Sequence, residues 1–425
     1  MLLLGQWHNY DLKISVREHE RSLTVSAMWE GGLFTAAYEG GGRPRTFITQ
    51  GTVYRRALDG RMLAKWRPAG AQRQRRWLTQ DEALQMEARA RGLVQAVYDD
   101  LQRGVMQTNV PLPPLGHTLF QRAIAWDEAR SRADARRYRA IYLPIGILPP
   151  DQYSAIVLQA TLGCSFNTCT FCTFYRDRPF RIKSPDEFRS HAEAVKDFLG
   201  EGIYLRQGIF LGDANALVVP MRRLLPLLEI ANQVFPTAWG SIGRPASSAD
   251  GGMATHQSAW GGIYAFLDGF SGEKKGINDY AKLASLGLKR VYIGMESGHE
   301  PLLRFLNKPG TPADVLHTVQ AMKAGGVAVG VIVLVGAGGH FYADAHVRDT
   351  IALINAMPLD SHDIIYFSEL VVTDDMPYAQ QAAAANLRPL THRECQAQEA
   401  AIRAGLRFRG SKPRISRYDI REFVY

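Results

Sequence analysis

SAIVLQATLGCSFNTCTFC, residues 154–172, is the stretch on which the fold turns. It opens on a mostly apolar run, which suits a strand covered on both faces. The run passes through Gly163 into three cysteines, Cys164, Cys169 and Cys172, spaced C-x4-C-x2-C. Three thiols on a loop after a strand can converge on one metal centre. Thiolates are soft ligands that favour iron–sulfur clusters or zinc. A structural zinc site needs four ligands. The one remaining cysteine is Cys395, and the loop holds no histidine. A redox C-x-x-C reading of Cys169 and Cys172 leaves Cys164 unexplained. Three cysteines on a four-iron cubane leave one iron without a protein ligand, open to a small molecule.

Outward from this stretch, apolar runs alternate with helical patterns. The runs are GIFLGD (208–213), TAWGSI (237–242), RVYIGME (290–296), VAVGVIVLVG (327–336) and DIIYFSELVV (363–372). With the first strand they make six strands, each followed by a helix, which implies a parallel sheet with right-handed crossovers. The expected fold class is α/β: an open, partial (β/α)6 TIM-like barrel over residues 151–372, with an N-terminal α+β extension over 1–150. Residues 373–425 are expected to form a helical tail on the barrel, and 244–262 a long inserted loop. In such folds the site lies at the C-terminal ends of the strands.

The N-terminal third is basic. It carries 22 Lys+Arg against 14 Asp+Glu, so +8 of the net +9 sits there. DLKISVRE, SLTVSAMW, LFTAAYE and TFITQGTVY alternate apolar and polar residues and read as a small antiparallel sheet over residues 10–55. Residues 55–77 read as a basic loop carrying Trp66 and Trp77. Arginines interleaved with aromatics can contact RNA by stacking and charge. They can equally lie along a surface with their heads in water. Thr79 followed by Asp81 and Glu82 marks a helix start, and a second, arginine-rich helix is expected near 122–140.

Composition excludes several classes. At 46% hydrophobic the chain is not disordered, and four cysteines in 425 residues cannot staple a scaffold. The N-terminus has no basic region before its short apolar run, so it does not read as a signal peptide. The longest uncharged apolar stretch, Ala324–Gly339, is broken by glycines and suits a strand better than a membrane helix. A soluble, cytoplasmic protein without membrane association is expected.

GCSFNTCTFC followed by TFYRDRPFR resembles the radical S-adenosylmethionine (radical SAM) superfamily, over roughly residues 150–410. Most of that superfamily uses C-x3-C-x2-C, so the extra residue is a departure. The chain is most similar to a branch of Fe–S oxidoreductases resembling oxygen-independent coproporphyrinogen III oxidase. FLGDANAL (210–217) and YIGMESG (292–298) match segments of that branch, in the same order.

The resemblance implies that Cys164, Cys169 and Cys172 hold a [4Fe–4S] cluster whose fourth iron is chelated by the amine and carboxylate of S-adenosyl-L-methionine (SAM). The reduced cluster would cleave SAM to methionine and a 5′-deoxyadenosyl radical, which abstracts a hydrogen from the substrate. Phe171 matches a position packing near adenine. Gly212 and Asp213 stand where many members carry a motif against the SAM amine, although this chain departs from it, and Asp213 can instead cap a turn. Ser241 and Arg244 are candidates for the SAM carboxylate, with a surface arginine as the alternative. Glu296 and Ser297 fall in a ribose-contacting region, with a salt bridge as the alternative for Glu296. Val333 begins an apolar wall against adenine. A reducing partner of flavodoxin or ferredoxin type and a small-molecule or tetrapyrrole substrate are implied.

Absences narrow this further. Cys395 alone cannot support a second cluster, which argues against members with auxiliary clusters. It falls in a helical pattern, where a packed thiol is the simple reading. DAHVRD (344–349) lacks the glycine of a cobalamin motif, so cobalamin is not expected. The GAGG at 336–339 is not followed by the residues of a phosphate loop. Two alternatives stay open: an RNA-modifying enzyme using the basic N-terminal region, and a non-catalytic cluster or heme carrier.

Overall fold

The computed structural model describes residues 1–68, 70, 72–236, 261–270 and 274–425. The barrel is a seven-stranded sheet, parallel throughout. Its strands are β1 (Ile156–Gln159), β2 (Ile209–Gly212), β3 (Ile263–Leu267), β4 (Leu288–Glu296), β5 (Ala328–Val335), β6 (Ile364–Glu369) and β7 (Arg414–Arg417). Each strand pairs with the next, so the sheet runs in simple sequence order. Helices Pro185–Leu199, Met221–Val234, Ile277–Ser285, Pro312–Ala324, Gly339–Ala356 and His392–Gly405 fall in the six crossovers.

Local chemistry explains the alternation. The helix Pro185–Leu199 starts at Ser184, whose hydroxyl accepts from the Glu187 amide while Glu187 reaches back to the Ser184 amide. Such a cap is worth about 1 kcal/mol. Pro185 at the first helical position costs no hydrogen bond. Phe188, Ala192, Val195 and Leu199 then bury one face against the sheet. β1 and β2 are buried at every position and β5 at all but its first, as two-sided coverage requires.

The N-terminal end of the barrel is plugged by a polar knot. Asp151 accepts from Tyr292 Oη at 2.6 Å, Tyr366 Oη at 2.8 Å and Arg290 Nη1 at 3.0 Å. Gly330 makes room for the Tyr292 ring, because an added Cβ would strike it. Among the described residues this knot fills the N-terminal end of the barrel.

Three differences from the sequence reading have physical causes. The barrel has a seventh strand drawn from the C-terminal segment, so that segment is not only helical. RISR escaped notice because two of its four residues are arginines, tolerated at a sheet edge. The third strand is Ile263–Leu267, lying between β2 and β4. TAWGSI, expected in that role, lies outside the described residues. The N-terminal sheet is larger than the four runs suggested: eight antiparallel strands in a meander from Leu2–Trp7 to Gln74–Trp77. The supposed basic loop contains two of them, Met62–Trp66 and Gln74–Trp77.

The meander has its own core, closed by helices Gln80–Gln102 and Pro114–Ile124. A buried ion cluster lies beside the barrel, most of its members from the N-terminal region. Arg43 binds Asp134 through two bonds, of 2.9 and 2.7 Å, pairs with Glu39, and donates to the carbonyl of Phe198. Arg56 binds Glu87 at 2.8 Å and approaches Asp134 at 3.6 Å. The C-terminus seals the joint, with the Tyr425 hydroxyl accepting from the Val157 amide on β1. No described helix is long and apolar enough to cross a membrane.

Candidate functional site

The cysteine loop follows β1. A short antiparallel pair, Thr161–Leu162 with Arg181–Ile182, closes its base. Gly163 has φ +74°, and a Cβ there would lie 2.8 Å from the Pro179 carbonyl oxygen, so glycine is required. Other elements hold the loop from outside. The Thr170 amide donates to the Leu306 carbonyl, Asn307 donates to that of Thr168, and the Tyr378 amide donates to that of Thr170. Arg176 braces it from within, donating to the carbonyls of Cys172 (3.1 Å) and Cys169 (2.8 Å).

So held, Cys164, Cys169 and Cys172 all face one cavity of about 540 Å³ at the C-terminal strand ends. All three thiols are free. Among the described residues, no three His, Cys, Asp or Glu side chains are gathered tightly enough for one metal ion. A zinc ion would draw sulfurs to about 2.3 Å of a single point, whereas in a cubane each thiolate meets a different iron. Burial pushes the Cys169 thiol up to about 12 and raises that of Cys172, with the nearby Lys308 charge opposing. Unmetallated, these sulfurs stay protonated. A bound cluster removes that penalty, because a coordinating thiol is deprotonated outright. The donor set and its burial thus fit a three-thiolate cluster.

Among the polar residues that line the cavity with the cysteines are Asn215, Asp268, Glu296 and Lys308. Asn215 bridges three elements. Its amide donates to Ser165 Oγ at 3.0 Å and to the Asp268 carboxylate, and its Oδ1 accepts from the Asp268 amide at 3.0 Å. Glu296 ends β4 at a register shift with φ +60°. That conformation costs a non-glycine residue about 1–3 kcal/mol. Its carboxylate is 3.2 Å from Lys308 Nζ. Gly294 stands where a Cβ would fall on both groups. Burial pulls the Lys308 ammonium toward neutrality, but Glu296 and neighbouring charges outweigh it and leave its pKa raised.

The sequence candidates divide accordingly. Phe171 and Glu296 line the cavity, and the salt bridge entertained for Glu296 is present within it. Asp213 does not line it. Its carboxylate accepts from Gln159 Nε2 at 2.9 Å and from the Gly163 amide at 3.1 Å, so it braces the root of the cysteine loop. Burial raises its pKa to about 6. The carbonyl of Gly212 accepts from the Ala160 amide, and the cavity-facing residues of this turn are Ala214 and Asn215. Ser297 turns behind the wall, where its hydroxyl meets His346 Nδ1 at 2.7 Å. Val333 is wholly buried on the other face of β5, and its neighbours Ile332 and Leu334 reach the cavity. This is a shift of one in a period of two. Ser241 and Arg244 lie outside the described residues. Cys395 is buried beside Gly336, within the helix His392–Gly405.

The sequence reading missed Asn215, Asp268 and Lys308. FLGDANAL did contain Asn215, but only a side chain's direction separates it from Asp213. Lys308 sits after a short helix with no motif around it.

Several arginines of the basic N-terminal segment are paired with carboxylates. Arg73 pairs with Glu422 (3.4 Å), Arg75 with Asp419 (2.7 Å), and Arg76 holds Glu82 through two bonds of 2.8 and 2.7 Å. Arg61 lies over the Trp77 ring.

No protein-family model matches the chain, and no curated protein does. Solved structures that it is similar to are radical SAM enzymes. One is the cobalamin-dependent S-adenosylmethionine radical enzyme OxsB, at 13% identity and a TM-score of 0.36, over 60% of this chain and 32% of that one. Another is the methyltransferase TsrM from Kitasatospora setae, at 14% identity and 0.38, over 54% and 37%. A third is coproporphyrinogen III oxidase (HemN) from Escherichia coli, at 10% identity and 0.39, over 60% and 55%. The chain spans about a third of the length of the first two.

Proposed function

We propose that this chain is a radical SAM enzyme. In this reading Cys164, Cys169 and Cys172 hold one [4Fe–4S] cluster, and SAM fills the adjoining part of the cavity. The observation that carries the proposal is the convergence of three free, half-buried thiols, and no fourth, on one large cavity at the C-terminal end of a parallel barrel. Held by these three cysteines, a reduced cluster would supply the electron that cleaves SAM to methionine and a 5′-deoxyadenosyl radical, the species that would take a hydrogen atom from the substrate. A flavodoxin- or ferredoxin-type protein delivers that electron.

The chain's own residues position and shield. Glu296, held in place by Lys308, accepts from paired hydroxyls such as those of a ribose. Asn215 and Asp268 offer polar contacts on the cluster side. Phe171, Ile332 and Leu334 supply apolar surface for a planar base and exclude water from a reactive intermediate. Asp213 and Arg176 hold the cysteine loop and touch neither cofactor.

Anaerobic reconstitution tests the proposal. The wild-type chain should take up ~4 irons, and SAM should alter the electron paramagnetic resonance spectrum of the dithionite-reduced cluster. A protein that takes up one zinc and no iron would overturn it. A cluster whose spectrum ignores SAM would point to a carrier.

A further inference from the structure

A second cavity, of about 220 Å³, lies at the other end of the barrel from the cysteines. Its lining includes Tyr153 and Ser154, just before β1, and Leu205 and Arg206, just before β2. Val424 and Tyr425 of the C-terminal segment close another side, and the meander strands Pro44–Thr49 and Thr52–Arg56 supply much of the rest. Among the described residues five arginines line it, Arg43, Arg45, Arg55, Arg56 and Arg206, against one carboxylate, Glu39.

Two of the five are matched. Arg43 is held by Glu39 and Asp134, and Arg56 by Glu87. The guanidinium groups of Arg45 and Arg55 have no hydrogen-bond or ion-pair partner among the described residues. Arg55 stands opposite Thr46 in the sheet register, so the two share a face, the one turned away from Phe47 and the meander core. Arg206 comes from the barrel side, with its guanidinium 5.7 Å from the centre of the Tyr425 ring. Burial, followed by the charges of Arg206 and Arg55, lowers the pKa of Arg45 against the pull of Glu39 and Glu20. Arginine heads that only needed water would spread apart. Here three border one concave, mostly polar cavity, and like charges gathered in a concavity draw an anion into it.

Residues 237–260, whose placement is not described, hold one acidic side chain, Asp250, and one arginine, Arg244, so they leave this charge balance unchanged wherever they lie. A carboxylate ending the chain at Tyr425 would offset one of the three charges and leave two.

We propose that this cavity binds a small phosphate-bearing anion. Arginine presents paired N–H donors that match phosphate oxygens. Ser154 and Tyr153, whose hydroxyl has no hydrogen-bond partner, add neutral donors to the lining. Pockets for organic ligands start at about 300 Å³, so this one suits phosphate, pyrophosphate or the phosphoryl end of a small metabolite. Such a guest would tie the meander, the barrel and the C-terminal segment together. The site is separate from the cysteine cavity and stands whether or not the chain cleaves SAM.

Isothermal titration calorimetry on the full-length chain tests it, with and without reconstituted cluster, at about 0.15 M salt, where loose surface attraction is screened. Inorganic pyrophosphate should bind once per chain, with equal affinity in the two forms. In R45A/R55A it should bind at least tenfold more weakly, and in R45K/R55K, where the charge stays and the fork is lost, by an intermediate factor. Both arginines are exposed, so the fold should survive, with an unchanged urea midpoint as the check, and R45A alone should give part of the loss. Inorganic phosphate and glycerol 3-phosphate then separate a free anion from an organic phosphate: the tighter of the two names the source. No binding at millimolar pyrophosphate, binding untouched in R45A/R55A, or binding that requires the cluster would overturn the proposal.

Discussion

The Glu296–Lys308 pair offers the sharpest energetic test of the site. Its atoms lie 3.2 Å apart, and the two side chains are 10% and 15% exposed. At an effective dielectric near 20, Coulomb attraction at that distance is about 5 kcal/mol. Desolvation of both ions takes back much of this, so a net coupling of about 2–3 kcal/mol is expected. Lys308→Met strands a carboxylate in an apolar wall, and Glu296→Gln strands an ammonium. Each should cost about 3 kcal/mol in urea unfolding of the cluster-free chain, read from the midpoint at constant slope. The double variant leaves no stranded charge and should cost much less than the two losses added. The strain at φ +60° is common to all four proteins and cancels from the cycle. Additivity within 0.5 kcal/mol would refute the reasoning, because it would mean that water, not the partner, neutralises each ion.

Three further outcomes are expected. Asp134→Ala takes the two-bond partner from Arg43 and a nearby carboxylate from Arg56, leaving them Glu39 and Glu87, and should cost about 2–3 kcal/mol in the same assay; a loss under about 0.5 kcal/mol would contradict the buried ion cluster described beside the barrel. Burial, aided by the charge on His299, lowers His346 to about 4, and its Nε2 has no partner for a proton. The native state therefore binds fewer protons than the unfolded one, whose His titrates near 6.5. Stability held above pH 6.5 is lost as pH falls toward 4, and His346→Gln should remove roughly 2–3 kcal/mol of that dependence. Asp213, with its pKa raised to about 6 by burial, works in the opposite sense between pH 4 and 6, so the comparison must be made against wild type and not against a flat baseline. Arg176→Ala removes both braces on the cysteine carbonyls and should speed loss of iron to a chelator several-fold at unchanged melting temperature; an unchanged rate would mean that the loop is held from outside alone.

What could be read from the residues followed from their periodicity. Runs apolar at every position, such as VAVGVIVLVG, marked strands covered on both faces, and the cysteine spacing pointed to one metal centre. What escaped was of two kinds. Polar strands at sheet edges, RISR in the barrel and QRRW in the meander, look like loops because their side chains are solvated while only their backbones pair. Direction was the other loss. Val333 for Ile332 or Leu334, and Asp213 for Asn215, are neighbours in sequence that face opposite ways. Lys308 could not be seen at all, because only the folded barrel brings it to Glu296. The basic N-terminal charge left two readings open, a nucleic-acid surface and solvated arginine faces. Folding sets Arg73, Arg75 and Arg76 against Glu422, Asp419 and Glu82, and two of those three partners come from the far end of the chain.

The central claim is that three thiolates leave one iron open for SAM. Its most direct test is the 5′-deoxyadenosine released when the anaerobically reconstituted chain is given dithionite and SAM. The account expects release from wild type and none above background from Cys164→Ala, Cys169→Ala or Cys172→Ala, each carrying the same added iron and sulfide. Release that survives loss of any one of these cysteines, or no release from a wild-type chain with a full cluster, would contradict it.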